Sequence, residues 1–219
     1  MKVDLHTHTL PASSCSSISH DEYVGFCRSA GIDAIALTNH GDEQDNRALA
    51  PRLAAIGVTL LHGVEISTVF GDFVVFSPDL DFLSTLRHLQ EPLRPATVPD
   101  DAAVVWVHPV AGGGHSGSAY FPGLETRVAE TIHAVEVLNG NWLDRRYVDG
   151  ATRIAAALGL PSTGGSDAHV VSRLMTCYTE VDGRLGDTAD LVTALRAGAV
   201  RPGRYPEPRR FGRLRGSRK

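Results

Sequence analysis

Short β-branched or apolar runs alternate along this chain with longer stretches in which apolar residues recur every three or four positions, a rhythm that predicts βα units around a parallel sheet. The first run is Val3 to Leu5. Ser19 and Glu22 then form an S-x-x-E capping box, and Val24, Cys27 and Ala30 supply a helical stripe that Gly31 terminates. Asp33 to Thr38 reads as a second strand, Glu43 to Ile56 as a helix stopped by Gly57, Val58 to Ile66 as a third strand and Phe73 to Phe76 as a fourth. Leu80 to Gln90 has a helical pattern, and Ala102 to Val107 is a fifth strand ending at His108-Pro109.

A glycine-rich loop, Ala111 to Gly123, follows; it lacks the G-x-x-x-x-G-K-[ST] pattern, which excludes a phosphate-cradling P-loop. A helix is expected across 124–131, then a strand Ala134 to Leu138. Val148, Ala151, Ile154, Ala155 and Leu158 mark the apolar face of the next helix. Pro161 to Gly165 leads into Ser166-Asp167-Ala168-His169, Thr176 to Val181 forms the last strand, and Thr188 to Ala197 a final helix. No repeat of fixed period is present. Six or seven strands with intervening helices predict a barrel-like α/β domain with its active groups at the strand C-terminal ends.

Composition narrows this picture. A chain of 219 residues, 42% hydrophobic and 21% charged, suits one soluble domain with one core. Cys15, Cys27 and Cys177 form no C-x-x-C pair and leave an odd count, so no disulfide framework is indicated and a cytoplasmic setting is expected. No run approaches the roughly 18 apolar residues of a membrane span, and the N-terminus enters a strand at once. The net charge of −4 conceals an asymmetry: residues 201–219 hold eight of the 21 basic residues and one acid, Glu207. We therefore expect a domain over 1–200 and a solvated, flexible basic tail over 201–219; nucleic acid is compatible with such a tail but not required by it.

The candidate chemistry sits where the apolar runs end. His6 and His8, two apart in an extended segment, face the same side and together offer two nitrogens to one ion. Alone, H-x-H fits polar groups at a sheet edge equally well. Glu65 and Asp167 also fall at strand tips, and two imidazoles with two carboxylates suit Zn, Mn or Fe(II) better than Ca. His40, in Thr38-Asn39-His40, and His169 are placed for a second ion, and His108 is placed to join Glu65 around another. Two or three divalent ions would then share one pocket, as in sites that attack phosphate esters with a metal-bound hydroxide.

These segments, Asp4-Leu5-His6-Thr7-His8-Thr9, Thr38-Asn39-His40, Gly63-Val64-Glu65, His108-Pro109 and Ser166-Asp167-Ala168-His169, resemble the polymerase and histidinol phosphatase (PHP) family in order and spacing from residue 1 to about 181. The resemblance implies a distorted, TIM-like, seven-stranded βα barrel, up to three divalent ions and phosphoester hydrolysis. It implies His6, His8, Glu65 and Asp167 around the first ion, Glu65 and His108 at the second, and His40 and His169 at the third. Glu136-Val137-Leu138-Asn139-Gly140 also resembles a family strand, with Asn139 or Asn141 toward substrate. The chain departs from the pattern at two places. Ser13 and Ser14 stand where members commonly carry an acid or histidine, with Cys15 just beyond, and a further family histidine is missing near Phe76, with Asp72 the nearest substitute.

The resulting expectation is a metal-dependent phosphoesterase in which a hydroxide bridging Zn, Mn or Fe ions attacks phosphorus. Its substrate would be a small phosphorylated molecule or nucleotide, and the oligomeric state is left open. His108, or His115 in the glycine-rich loop, is the candidate proton donor, and Arg173 the candidate phosphate clamp. Two alternatives stand: an amidohydrolase-like C–N hydrolase on the same scaffold, or a non-catalytic metal-binding accessory domain.

Overall fold

The computed structural model describes residues 1–68, 71–87, 97–110 and 129–205. The expected loop at 111–123 with His115, most of the 124–131 helix, His88 and the tail from 206 lie outside the described residues; 129–131 form a turn.

In chain order the described elements are β1 (Lys2–Val3), α1 (His20–Ala30), β2 (Ala34–Leu37), α2 (Gln44–Ala54), β3 (Thr59–Thr68), β4 (Gly71–Phe76), α3 (Leu80–Thr85), β5 (Ala103–Trp106), β6 (Ala134–Asn139), α4 (Arg145–Leu158), β7 (Ser162–Gly165), a 3-10 turn (Val171–Arg173), β8 (Cys177–Val181), α5 (Thr188–Arg196) and β9 (Val200–Arg204). Ser19 caps α1 through the reciprocal box with Glu22, and Gly31 ends it at φ +60°. Asp144 caps α4, which stops at Gly159, φ +65°.

One sheet holds six strands in the order β2-β3-β4-β5-β6-β7. The parallel sheet read from the sequence is corrected here: β2/β3, β5/β6 and β6/β7 are parallel, but β4 runs antiparallel to both neighbours. The reason is local, because only residues 69 and 70 separate β3 from β4, too few for a crossover and enough for a hairpin. Among the described residues no seven-stranded barrel closes. β1 pairs instead with β8 in a separate antiparallel sheet, β1-β8-β9.

The six-stranded sheet nevertheless curls into a half-barrel, since the segment after β1 touches both of its edges. Ala36 N donates to Asp4 O and Thr38 N to Thr7 O on the β2 side, while Asp167 N donates to His6 O and His8 N to Ala168 O on the β7 side, all at 2.8–3.1 Å. Residues 4–8 thus span the gap between the two edges without forming a regular strand, and the histidine motif lies on that span.

The strands are buried on both faces, which explains why they read as continuous apolar runs. Ala34, Ala36, Leu61, Val74, Phe76, Ala103 and Val105 line one face, closed by Val3 and by Leu191 and Leu195 of α5. On the other face, Ile35 and Leu37 meet α1 and α2 through Tyr23, Phe26, Leu49 and Leu53. Val64, Val75, Trp106, Val135 and Val137 meet α3 and α4 through Leu83, Ala151 and Ile154.

The boundary set at residue 200 falls inside β9, which pairs with β8 from Val181↔Val200 to Cys177↔Arg204. Its Pro-Gly content disguised a strand whose register comes from the partner rather than from its own pattern. Among the described residues no helix is long and apolar enough to cross a membrane.

Candidate metal centre

Local structure aims the motif residues at one point. Thr7 Oγ1 donates to Ala36 O, and Tyr23 Oη donates to the same carbonyl at 2.9 Å, which ties the histidine segment to β2 and α1. Buried Asp45 Oδ2 accepts from Thr9 Oγ1 (2.8 Å) and Asn39 Nδ2 (3.0 Å), and Asn39 Oδ1 accepts from Thr9 N (2.7 Å), fixing the turn after His8 against the end of β2. Asp4 accepts from Ser166 N (2.8 Å), Met175 N (2.7 Å) and His6 N (3.3 Å), and fastens the other side. Burial pushes the Asp4 carboxyl up to about 6, against the opposing pull of its Ser166 hydrogen bonds.

His6, His8, Glu65 and Asp167 converge. Glu65 Oε2 lies 3.3 Å from both His6 Nε2 and His8 Nε2, and Asp167 Oδ1 lies 3.3 Å from His8 Nε2 and 3.7 Å from His6 Nε2. Four donors held at ~2.0–2.1 Å around a tetrahedral ion stand about 3.3 Å apart, so these separations have the size an ion requires. His6 Nε2, His8 Nε2 and Glu65 Oε2 are buried with no hydrogen-bond partner among the described residues, a costly arrangement unless something else satisfies them. The donor set fits a divalent cation.

His108 Nε2 sits 3.0 Å from Glu65 Oε1, so the two oxygens of Glu65 face two groups of donors, and His6, Glu65 and His108 form a second cluster. His8, His40 and His169 form a third. His40 Nδ1 is 3.1 Å from Glu65 Oε2, and the His8 ring stacks against both His40 (4.6 Å) and His169 (4.4 Å).

Three of these histidines have Nδ1 occupied away from the centre. His6 Nδ1 meets Glu136 Oε1 at 3.1 Å, His8 Nδ1 meets Ser13 Oγ at 3.3 Å, and His169 Nδ1 donates to the Asp167 carbonyl at 2.9 Å. A carbonyl only accepts, so His169 carries its proton on Nδ1 and leaves the Nε2 lone pair free. Such anchoring is the usual accompaniment of metal-ligating imidazoles.

The electrostatics of the cluster set burial against its own opposite charges. Burial works against charge on His6, but Asp167, Glu136 and Glu65 outweigh it and hold the imidazole well above its ordinary value. Burial likewise opposes charge on His108, yet Glu65 raises it to about 9. His8 is driven down to about 4 by burial. Burial disfavours ionised Glu65 and Asp167 as well; the His6 charge dominates in turn and holds both carboxyls well below the usual range. Asp167 (φ +51°) and His108 (φ +31°) adopt the left-handed region that non-glycine residues avoid, strain of about 1–3 kcal/mol each that clusters at functional sites.

A cavity of about 220 Å³ opens onto the centre, lined by Cys15, His40, Glu65, Ser67, Asp72, His108, Asp167 and His169. Asp72 is buried beside His108, with Oδ2 3.8 Å from Nδ1, and lies outside the three clusters. Cys15 is exposed at the mouth. Arg173, expected as a phosphate clamp, is exposed on the 3-10 turn and is not among the lining side chains. Of the remaining histidines, His20 contacts Asp45, His62 contacts Asn46 and His133 accepts from Val104 N, all away from the cavity wall.

The sequence reading named Glu136 only as part of a family-like strand and gave no role to it or to Ser13. Glu136 had a visible signal, a lone acid in the middle of the buried apolar strand Ala134–Asn139.

A PHP-associated domain model (PHP_C) matches residues 147–200. The chain is 27% identical to a probable phosphatase of Shewanella frigidimarina, over 78% of this chain and 79% of that protein. Its fold resembles a two-domain protein of Bacteroides vulgatus containing a "predicted PHP-like metal-dependent phosphoesterase", with TM-score 0.71, 20% identity, and 94% of this chain and 65% of that one covered. It also resembles an amidohydrolase of Chromobacterium violaceum, solved with sulfate and without metal, with TM-score 0.58, 16% identity and coverage of 78% and 88%. The motif resemblance to the PHP family is borne out by these likenesses in sequence and fold.

Proposed function

We propose that this PHP-like chain is a metal-dependent phosphoesterase. The observation that carries the reading is the convergence of His6 Nε2, His8 Nε2 and Glu65 Oε2, all buried and making no hydrogen bond among the described residues, with Asp167 Oδ1 at 3.3–3.7 Å from the two imidazoles. His6, His8, Glu65 and Asp167 would hold one divalent ion and Glu65 with His108 a second. His40 and His169 would hold an outer one, with Cys15 and Asp72 beside these positions rather than in them. When bound, such ions activate water toward phosphorus and take up charge on the phosphate oxygens.

The chain's own residues prepare that chemistry. Three carboxylates, Glu65, Asp72 and Asp167, line the cavity, and no Lys or Arg is among its described lining residues, so bound cations would supply the charge that holds an anionic phosphate. Asp72, next to His108 Nδ1, favours a proton there and leaves Nε2 for Glu65 and the ion. The buried position of His108 Nδ1 argues against its delivering a proton to a leaving group. The half-exposed rings of His40 and His169 stand at the mouth, where a leaving group departs. A volume of about 220 Å³ fits a phosphoryl group and the first atoms of its ester, with the remainder of the substrate outside.

The test is a panel of phosphomonoesters, phosphodiesters and amides assayed with Mn, Zn and Fe(II) added separately to chelator-stripped protein. Phosphate release that depends on added ion and disappears in Asp167→Ala is expected. Amide cleavage without phosphate release would favour the C–N hydrolase reading.

A further inference from the structure

Glu136 is buried to 2% exposure in the middle of β6, and its carboxylate is shared between the two inner clusters. Oε1 meets His6 Nδ1 at 3.1 Å. Oε2 accepts from His108 N at 3.1 Å and from Asn139 Nδ2 at 2.8 Å. The same Asn139 amide reaches Asp167 Oδ2 at 3.3 Å, and Tyr147 Oη donates to the Glu136 carbonyl at 3.2 Å, so the strand position is itself pinned.

We infer that Glu136 is a positioning residue that prepares both inner metal positions at once: one oxygen fixes the tautomer of His6, and the other holds the backbone of His108. This rests on the reading that ions bind at the centre. Each oxygen does a different job. A carboxylate at Nδ1 keeps the His6 proton there and leaves Nε2 as the lone pair facing His8, Glu65 and Asp167. The hydrogen bond to His108 N stabilises a residue held at φ +31°, where the chain would otherwise relax and carry Nε2 away from Glu65.

The two arms are separable by Glu136→Gln, which keeps the shape but offers one acceptor and one donor. Two donors, His108 N and Asn139 Nδ2, claim the amide oxygen, so the NH₂ faces His6 Nδ1 and drives the imidazole proton onto Nε2. The variant should keep its melting transition and its ion at the His108 position, and bind the ion at the His6/His8/Glu65/Asp167 position about 10- to 100-fold more weakly. Affinities are read by competition of Mn²⁺ or Zn²⁺ with a chromophoric chelator. Glu136→Ala should weaken both positions.

A second measurement needs no variant: in metal-loaded wild-type protein, long-range ¹H–¹⁵N correlation should show His6 protonated at Nδ1, with that proton protected from exchange. Folded Glu136→Gln that binds both ions with wild-type affinity, or a loaded wild type with His6 ligating through Nδ1, overturns the inference. Wild-type protein that takes up no ion at all removes the hydrolase reading and this inference with it, so the two failures are distinguishable.

Discussion

Loading the centre with cations should expel protons from the chain, and the structure sets how many. In the ion-free protein His6 and His108 are both charged at neutral pH: burial opposes this, but the surrounding carboxylates raise His6 well above its ordinary value and His108 to about 9. His8, near 4, is already neutral, and Glu65 and Asp167 are already ionised. At about pH 7.5 a group with its pKa near 9 is about 97% protonated, so filling both inner positions displaces about two protons. His108→Asn should lower the count by about one. Binding should strengthen about 100-fold per pH unit in the wild type and about tenfold in the variant while the pH stays below these pKa values. The sign for stability follows from the same shift: a raised imidazole contributes stability to the ion-free fold below about pH 6.5, and this contribution is lost as pH climbs through about 9. The assay is calorimetric titration of stripped protein with Mn²⁺ in buffers of equal pH and different ionisation enthalpy, whose slope gives the proton count. A slope near zero, or equal slopes for wild type and His108→Asn, would refute the charge assignment.

Two further substitutions test how the fold supports the site. A Cβ at Gly165 would stand 2.5 Å from His6 Cβ and 2.7 Å from Glu136 Oε1, so Gly165→Ala should cost about 1–3 kcal/mol in denaturant unfolding and reduce the ions retained on gel filtration. Ser19→Ala removes the hydroxyl that accepts from Glu22 N and leaves the other half of the α1 capping box, the backbone N–H of residue 19 donating to Glu22 Oε2, in place. It should cost about 1 kcal/mol, lower the melting temperature by about 2–4 °C and leave ion content unchanged.

Most of the fold that positions the site was legible in the sequence, because its strands are apolar on both faces and its helices carry explicit caps. Ser19, Gly31 and Gly159 stand where their helices begin and end. Pairing was less legible. Nothing in Phe73–Phe76 says whether its neighbours run parallel, and the two-residue link from β3 settles it. β9 was hidden because Pro202 and Gly203 contradict strand propensity while β8 supplies the ladder. At the centre, strand-tip histidines and acids were visible because their types are unusual at the ends of apolar runs. The anchors were not: Ser13 is an ordinary loop residue until its Oγ is seen 3.3 Å from His8 Nδ1 and accepting from His40 N at 3.1 Å. Arg173 shows the reverse: four residues from His169 in sequence, it is exposed on the 3-10 turn and is not among the described residues lining the cavity.

The most direct test of the account is the crystal structure of protein loaded with Mn²⁺ or Zn²⁺, with anomalous scattering measured at the metal edge. The account predicts a peak bonded at ~2.0–2.3 Å to His6 Nε2, His8 Nε2, Glu65 and Asp167. Loaded crystals with no anomalous peak among these four side chains, or with ions only on surface carboxylates, would contradict it.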